Sequence, residues 1–275
     1  MKDTIMLMLK GGVIGVANII PGVSGGTMAV VLGIYERLIE AIGNFATNKE
    51  KRKEYIILLA QIGIGAALAI LVLSWLMDFL LTDYPVYTYL FFIGLIAGSI
   101  PAIYKAHDEM SLNFSSAIAF LTGMALILSF ALLFPDVEKS KDINFDYQVT
   151  TAGLALLLVA GVFAGGSMIV PGISGSFIMV LMGQYRIVIK AIKEMNIVVL
   201  GAVAVGAAAG VWGFAKLIDF LLKTKPKETM FFILGLVVAS LYPIFPGLPE
   251  GIGAAMLAII IALLGAGIAY FLGER

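Results

Sequence analysis

Long apolar runs separated by short polar loops dominate the hydrophobic pattern of the chain. Six of the runs are long enough for a helix to cross a hydrocarbon core of roughly 30 Å. They occupy residues 55–81, 86–104, 114–134, 197–222, 229–245 and 251–272. The pattern predicts an all-α polytopic membrane protein in which these runs are membrane-spanning helices.

Two further apolar stretches, residues 4–42 and 149–192, are too long for one span, and each is broken near its middle. The first break reads NIIPGVSGGT over residues 18–27, and the second reads MIVPGISGSF over residues 168–177. Proline removes a backbone donor and ends a helix, and glycine permits a sharp turn. Each stretch is expected to form a re-entrant helical hairpin, with one leg before the break and one after it.

The two halves of the chain repeat each other. At an offset of 150 residues the broken stretches match, and at an offset of 141 the helices that follow them match. The matching pairs include Pro21/Pro171, Gly22/Gly172, Ser24/Ser174, Gly25/Gly175, Gly33/Gly183, Tyr35/Tyr185, Asp78/Asp219, Pro85/Pro226, Gly94/Gly235 and Ser99/Ser240. The chain is therefore an internal duplication. The predicted repeats are residues 1–142 and 143–275, and each contains one hairpin and three spans.

The orientation of the repeats depends on the broken stretches. If each is a re-entrant hairpin, each repeat has an odd number of spans, and the second repeat is inverted relative to the first. The basic clusters at residues 49–53 and 223–227 then lie on the same side as both termini, which the positive-inside rule makes cytoplasmic. If each stretch instead spans once, these clusters fall on opposite sides. The charge pattern favours inverted repeats in the cytoplasmic membrane.

Composition narrows the possible functions. Apolar residues make up 61 % and charged residues 13 % of the chain, which is too little polar surface for a soluble globule. Eighteen basic residues balance 18 acidic ones, so no net field attracts nucleic acid. The chain has no cysteine and one histidine, His107, so disulfides and thiolate chemistry are excluded and imidazole chemistry is limited. No metal, nucleotide or prosthetic group is indicated.

The two breaks are the candidate binding sites. Non-helical backbone at membrane depth is tolerated only where protein or water covers it. The helix after each break starts with unpaired N–H groups beside serine hydroxyls, and such a helix start attracts anions. Two inverted copies would bring these groups face to face, as in an alternating-access carrier. The predicted ligand-binding residues are Asn18, Gly22, Ser24, Gly25, Gly26 and Thr27 in the first copy and Gly172, Ser174, Gly175 and Ser176 in the second.

The alternative interpretation of these breaks is structural, because proline and glycine also permit kinks and close helix packing. Serine together with the break in both halves argues against packing alone. The spacing of Gly94 and Gly98, and of Gly206 and Gly210, in contrast predicts helix-packing seams.

Charged residues beyond the breaks are the second group of candidates. Glu36 and Arg37 follow the first break, and Arg186 follows the second. Arginine binds phosphate with a planar set of donors, so Arg37 and Arg186 could receive a phosphate group at each mouth. The alternative is that these side chains only extend to the membrane interface.

Two repeated pairs have open interpretations. Asp78 and Asp219 lie at matching helix ends, where they could bind a coupling proton or stabilise the interface. Tyr35 and Tyr185 are expected to anchor the chain at the membrane surface.

An enzymatic function is a competing hypothesis. The Gly-x-Ser-Gly pattern at residues 22–25 and 172–175 also occurs in intramembrane serine proteases, but a serine nucleophile needs a base. His107 cannot serve two serines in opposite halves. A membrane enzyme that acts on a lipid phosphate and a carrier or channel for a small anion are the two alternatives.

The segment from Asn18 to Thr27, followed by residues 33–39 (GIYERLI), resembles the signature of the polyprenyl-phosphate transporter family, the PopT-type undecaprenyl-phosphate translocases of bacteria and archaea. The second motif is looser, because Ser176 and Phe177 stand where the first has Gly26 and Thr27. The resemblance implies return of undecaprenyl phosphate to the cytoplasmic leaflet for cell-wall synthesis. Coupling of transport to a proton or a sodium ion, and assembly of the chain into a homo-oligomer, are both compatible with the resemblance.

Overall fold

The computed structural model describes residues 2–20, 23–105, 111–133 and 150–273. Pro21, Gly22, His107 and the predicted boundary at residues 142/143 lie outside these ranges. The described chain is all helical, which confirms the predicted fold class. Its helices are α1 Lys2–Ala17, α2 Gly25–Val31, α3 Tyr35–Asn44, α4 Arg52–Asp83, α5 Pro85–Lys105, α6 Phe114–Leu133, α7 Thr151–Ile169, α8 Gly175–Leu181, α9 Tyr185–Lys193, α10 Ile197–Thr224, α11 Pro226–Ser240 and α12 Ile252–Gly273.

Five of these helices, α4, α6, α7, α10 and α12, are long and apolar enough to cross a membrane. Such a set identifies a multi-pass membrane protein. The apolar part of α5 is shorter, and α11 has 15 residues, which gives a length of only about 22 Å.

The predicted span over residues 229–245 is wrong at its end, because α11 stops at Ser240. Pro243 has no N–H to continue the helical hydrogen bonds, and it disfavours helical backbone at the preceding residue. The other predicted spans agree with the observed helices within three residues at each end.

The same helix pairs pack in both halves. Helix α1 packs on α4 as α7 packs on α10, while α5 packs on α12 and α6 on α11 across the halves. The predicted glycine seams are confirmed: Gly94 and Gly98 lie against the backbone of α12, and Gly206 and Gly210 lie against the backbone of α7. A Cβ at any of these four positions would overlap the facing backbone.

The chain reverses direction at each break. The Gly25 N–H donates to the Asn18 side chain at 3.1 Å, and the Lys10 ammonium donates to the Leu32 carbonyl at 2.8 Å, so α2 runs back along α1. In the second half, Met179 of α8 packs with Ala160 and Ala164 of α7.

The returning leg of each predicted hairpin is not one continuous helix. Gly33 and Gly183 adopt φ values of +65° and +71°, which end α2 and α8 after seven residues each. The following helix turns sharply away, by 110° between α8 and α9. Each broken stretch therefore consists of a long helix, a short returning helix and a third helix, which in the second half is set across α8.

Candidate functional site

Side-chain hydrogen bonds close the described part of the first break, residues 18–20 and 23–27, between α1 and α2. Asn18 Oδ1 accepts from the Gly25 N–H at 3.1 Å, and Ser24 Oγ accepts from the Thr27 N–H at 3.1 Å. The Ser24 and Thr27 hydroxyls are 3.0 Å apart, and both residues are at most 3 % exposed. These two N–H groups already have protein acceptors, so the prediction that this tip presents them unpaired is wrong.

The two tips meet inside the protein. Thr27 Oγ1 accepts from the Gly172 N–H at 2.8 Å, a contact between residues 145 positions apart. Gly26 lies against the end of α7, where an added Cβ would be 2.7 Å from the Ile169 carbonyl oxygen. This close approach requires glycine at position 26. The structure therefore brings two of the predicted first-copy residues, Gly26 and Thr27, into contact with the second break.

Tyr35 adds a second bond between the halves. Its hydroxyl donates to the Ile169 carbonyl at 3.0 Å, and the residue is only 4 % exposed. The expectation that Tyr35 anchors the chain at the membrane surface is wrong, because its side chain is buried against the end of α7. Its counterpart Tyr185 is 38 % exposed.

The second tip is more open. Ser174 precedes α8 without a side-chain capping bond, Ser176 is exposed, and their hydroxyl oxygens are 2.7 Å apart. Gly172 has φ +83°, a conformation that favours glycine. Phe177, which replaces the first tip's threonine, packs edge-to-face on Phe130 with ring centroids 5.8 Å apart. Ser176 is therefore exposed at this tip, and Ser174 is partly exposed.

Sequence reasoning missed two polar residues, Ser240 beside the second tip and Lys10 beside the end of α2. Ser240 of α11 lies beside Gly172, where an added Cβ would be 3.1 Å from the Ser240 Cβ, and its hydroxyl donates to the Val237 carbonyl at 2.8 Å. The repeat pairing with Ser99 could have indicated it, since Ser99 makes the same type of bond to Ile96. Lys10 was visible only as a charge that interrupts an apolar helix.

The charged candidates lie away from the tips. Glu36 and Arg37 are exposed, and Arg37 lines a cleft of about 510 Å³ near the start of α1. Asp3, Glu50, Lys53 and Glu54 line the same cleft, so its charge is mixed. Arg186, on α9, is partly buried. The structure thus gathers the serines and glycines but not the arginines.

A multi-pass helical protein with two broken helical stretches that meet inside it has the architecture of a membrane transporter. Comparison with known proteins agrees with this class. Residues 14–252 match a family described as undecaprenyl phosphate translocase-like. The chain therefore belongs to the undecaprenyl phosphate translocase-like family.

Two curated relatives are similar over most of their length. The polyprenyl-phosphate transporter of Staphylococcus aureus is 32 % identical, with 97 % of this chain and 95 % of the relative aligned. The polyprenyl-phosphate transporter of Vibrio cholerae is 30 % identical, with 86 % and 76 % aligned. No solved structure matches the chain at a significant level. The family description and the names of these relatives indicate a transporter, not an enzyme.

Proposed function

We propose that the protein moves polyprenyl phosphate, specifically undecaprenyl phosphate, from the outer to the cytoplasmic leaflet, and that the hairpin tips bind the phosphate. The observation that carries the proposal is the bond between the Gly172 N–H and Thr27 Oγ1, which joins the two tips. Polar groups of both repeats thus meet among apolar helices. The family and the relatives' printed names supply the lipid.

The chemistry of the tips suits a phosphate headgroup. A phosphate carries a charge of about −1.5 to −2 at pH 7 and cannot cross hydrocarbon without compensating hydrogen bonds. The Ser174 and Ser176 hydroxyls, with the tip's backbone N–H groups, would supply donors in the state described here. The isoprenoid chain would remain in the lipid. Arg37 and Arg186 would receive the headgroup at the two mouths.

Helix directions support the inverted orientation of the repeats. Gly94 and Gly98 of α5 lie against Ala262 and Ala266 of α12, so these two helices run parallel. Helix α12 is the repeat counterpart of α6. Because α6 is the span that follows α5, it would run in the direction opposite to α5. Parallel packing of α5 with α12 is therefore what an inverted second repeat requires.

Side-chain contacts support the same orientation. Tyr104, near the end of α5, packs on Phe231, near the start of α11, with ring centroids 6.3 Å apart. Ser115, near the start of α6, donates to Glu228 at the start of α11 at 3.1 Å. The basic segments 49–53 and 223–227 belong to this end, which supports a cytoplasmic location for it.

The test is transport by the purified protein in liposomes. Leaflet-specific accessibility of polyprenyl phosphate would be followed for the parent chain and for the Ser174→Ala, Ser176→Ala double variant, with and without an imposed proton or sodium gradient. We expect rapid transfer by the parent and at least tenfold slower transfer by the variant, because both accessible hydroxyls are removed. Dependence of transfer on one gradient would identify the coupling ion.

Two controls make the test specific. Thr122→Ala removes a hydroxyl on α6 that already donates to the Ile118 carbonyl, and it should leave transfer unchanged. Uptake of inorganic phosphate would be measured in parallel. Uptake of soluble phosphate without lipid transfer would replace the proposal with a small-anion carrier. Normal transfer by the double variant would show that the second tip is not the phosphate site.

A further inference from the structure

Polar side chains join α3 to α10 at the end of the bundle where α4 begins. Asn44 Nδ2 donates to Asp219 Oδ2 at 2.8 Å and to the Glu40 carbonyl at 2.9 Å. Lys223 Nζ donates to the same Asp219 oxygen at 2.7 Å. Asp219 is 8 % exposed although it lies in a predicted span. A buried carboxylate with two donors is a strong attachment point between the two halves.

Further contacts hold α3 in this position. Tyr55, near the start of α4, donates to Glu40 Oε1 at 2.8 Å, and Lys51 Nζ lies 3.6 Å from the same oxygen. Gly43 packs so closely on α10 that an added Cβ would be 3.2 Å from the Lys216 Cα. Helix α3 is therefore fixed both to α4 of its own half and to α10 of the other.

The repeat counterpart of this attachment is open. Asp78 on α4 corresponds to Asp219, but it is exposed. Helix α9 corresponds to α3, and it packs on α8 and α10 of its own half. In the described part of the chain, α9 does not pack on α4 as α3 packs on α10. One end of the bundle is thus joined between the halves by α3 and α10, and among the described residues α9 makes no comparable packing on α4 at the other end.

The open counterpart still carries complementary charge. At the offset of 150, Lys190 corresponds to Glu40 and Glu194 to Asn44. Lys190 Nζ lies 3.9 Å from Glu194 Oε1 on the same helix. Lys190 therefore offers a cation on the helix that would approach Asp78 if α9 packed on α4.

We propose that two contacts, Asn44 with Asp219 and Lys190 with Asp78, alternately close opposite ends of the bundle during one transport cycle. In the state described here Asn44 and Asp219 close one end; in the opposite state this contact opens, and Lys190 pairs with Asp78 to close the other end. The inference rests on the proposed transport function and on the inverted repeats. It assigns Asn44, Asp219, Asp78 and Lys190 to the conformational change and not to the headgroup site.

The residue differences between the closures fit their different geometry. Gly43 lets the backbone of α3 approach α10, and the short Asn44 side chain then reaches Asp219. Helix α9 has Lys193 at the position of Gly43, so it cannot approach α4 as closely. The longer Lys190 side chain suits the wider separation, because a lysine extends several ångströms further than an asparagine.

The chain contains no cysteine, so introduced pairs can be cross-linked without background. The Asn44→Cys, Asp219→Cys pair, treated with a short thiol cross-linker in detergent without lipid substrate, should cross-link in most molecules. Asn44→Cys with Leu217→Cys is the matched geometric control, since Leu217 is 52 % exposed on another face of α10. This control pair should not cross-link.

Cross-linking of the Asp78→Cys, Lys190→Cys pair measures how often the opposite end closes. Its cross-linking rate should be low in the parent chain and should rise roughly tenfold when Asn44→Ala or Asp219→Asn is added, because a hydrogen bond to a charged group is lost. Glu228→Gln, which removes the charge from an exposed contact between α6 and α11 at the same end, should leave the rate unchanged. All variants are first checked for a single symmetric peak in size-exclusion chromatography.

The proposal is overturned if neither variant accelerates the second pair, if Glu228→Gln accelerates it equally, or if the first pair fails to cross-link. Asn44→Ala and Asp219→Asn act on opposite partners of one contact, so one remains informative if the other does not fold. If the cross-links form as expected but polyprenyl phosphate does not move in liposomes, the alternating closures are supported and polyprenyl phosphate is not the substrate.

Discussion

At the first hairpin tip, Ser24 and Thr27 are at most 3 % exposed and their polar atoms are used within the protein. At the second tip, Ser174 and Ser176 bond to each other, and Ser176 is exposed. The two motifs share Pro-Gly-x-Ser-Gly, so the shared residues cannot cause the difference. Asn18, whose side chain accepts from the Gly25 N–H, is replaced by Met168 in the second copy, and the other differences in polarity lie in the pair of positions that follows the shared motif.

Those positions are Gly26 and Thr27 in the first copy and Ser176 and Phe177 in the second. Glycine lets the first tip pack against the Ile169 carbonyl, and threonine then accepts a bond from Gly172. Serine and phenylalanine do neither, and the phenylalanine ring packs outward on Phe130. In the duplicated motif, one copy thus fastens the halves, and the other leaves Ser176 exposed and is the copy that we propose binds the phosphate.

The largest expected effect comes from Gly26→Val. Its side chain would overlap the Ile169 carbonyl and push the tips apart, because the added Cβ alone lies 2.7 Å from that oxygen. We expect the free energy of unfolding in detergent micelles to fall by about 3 kcal/mol. The matched change Ser176→Val should leave stability nearly unchanged. Equal losses for both variants would contradict the division between the tips.

Thr27→Val is expected to have the next largest effect. Valine keeps the shape but leaves the Gly172 N–H without its acceptor, at a cost of about 2 kcal/mol. Thr27→Ser retains the hydroxyl and should recover most of this loss. Chemical unfolding of the three proteins side by side would measure it, and a serine variant as unstable as the valine variant would argue against the hydrogen bond.

Much of this architecture could be predicted from the sequence. The apolar runs gave the helices, and the Pro-Gly breaks with the repeat gave the position of both tips, because these features act locally. The end of α11 at Ser240 was also readable in principle from Pro243. The turns at Gly33 and Gly183 were visible as a repeated glycine pair, but the sequence does not specify the positive φ that bends the chain there.

The state of the site could not be predicted in the same way. Closure of the first tip depends on contacts between residues far apart in sequence, such as Thr27 with Gly172 and Tyr35 with Ile169. Periodicity does not report such contacts. The shared motif predicted an anion site in each half, and the looser second copy argued against equal roles, but the sequence does not show which tip uses its hydroxyls within the protein.

A smaller effect is expected at the two capping serines. Ser24→Ala removes the acceptor of the Thr27 N–H and should cost about 1 kcal/mol of stability. Ser174 makes no capping bond, so Ser174→Ala should leave the thermal midpoint unchanged while weakening retention of polyprenyl phosphate. Thermal unfolding and lipid co-purification would be measured for both. If Ser174→Ala lowers stability and does not change lipid retention, Ser174 has a structural role and does not bind the lipid.

The smallest expected effect separates the two tyrosines that begin α3 and α9. Tyr35→Phe removes only the hydroxyl that donates to Ile169, and a neutral hydrogen bond of this kind contributes about 0.5 kcal/mol or slightly more. Tyr185 is 38 % exposed, so Tyr185→Phe should change the unfolding free energy by less than the error of the measurement. The comparison is sharp because both changes delete a single oxygen at matching positions. An equal loss at Tyr185 would mean that the second half is also fastened through its tyrosine, and that the asymmetry is confined to the tips.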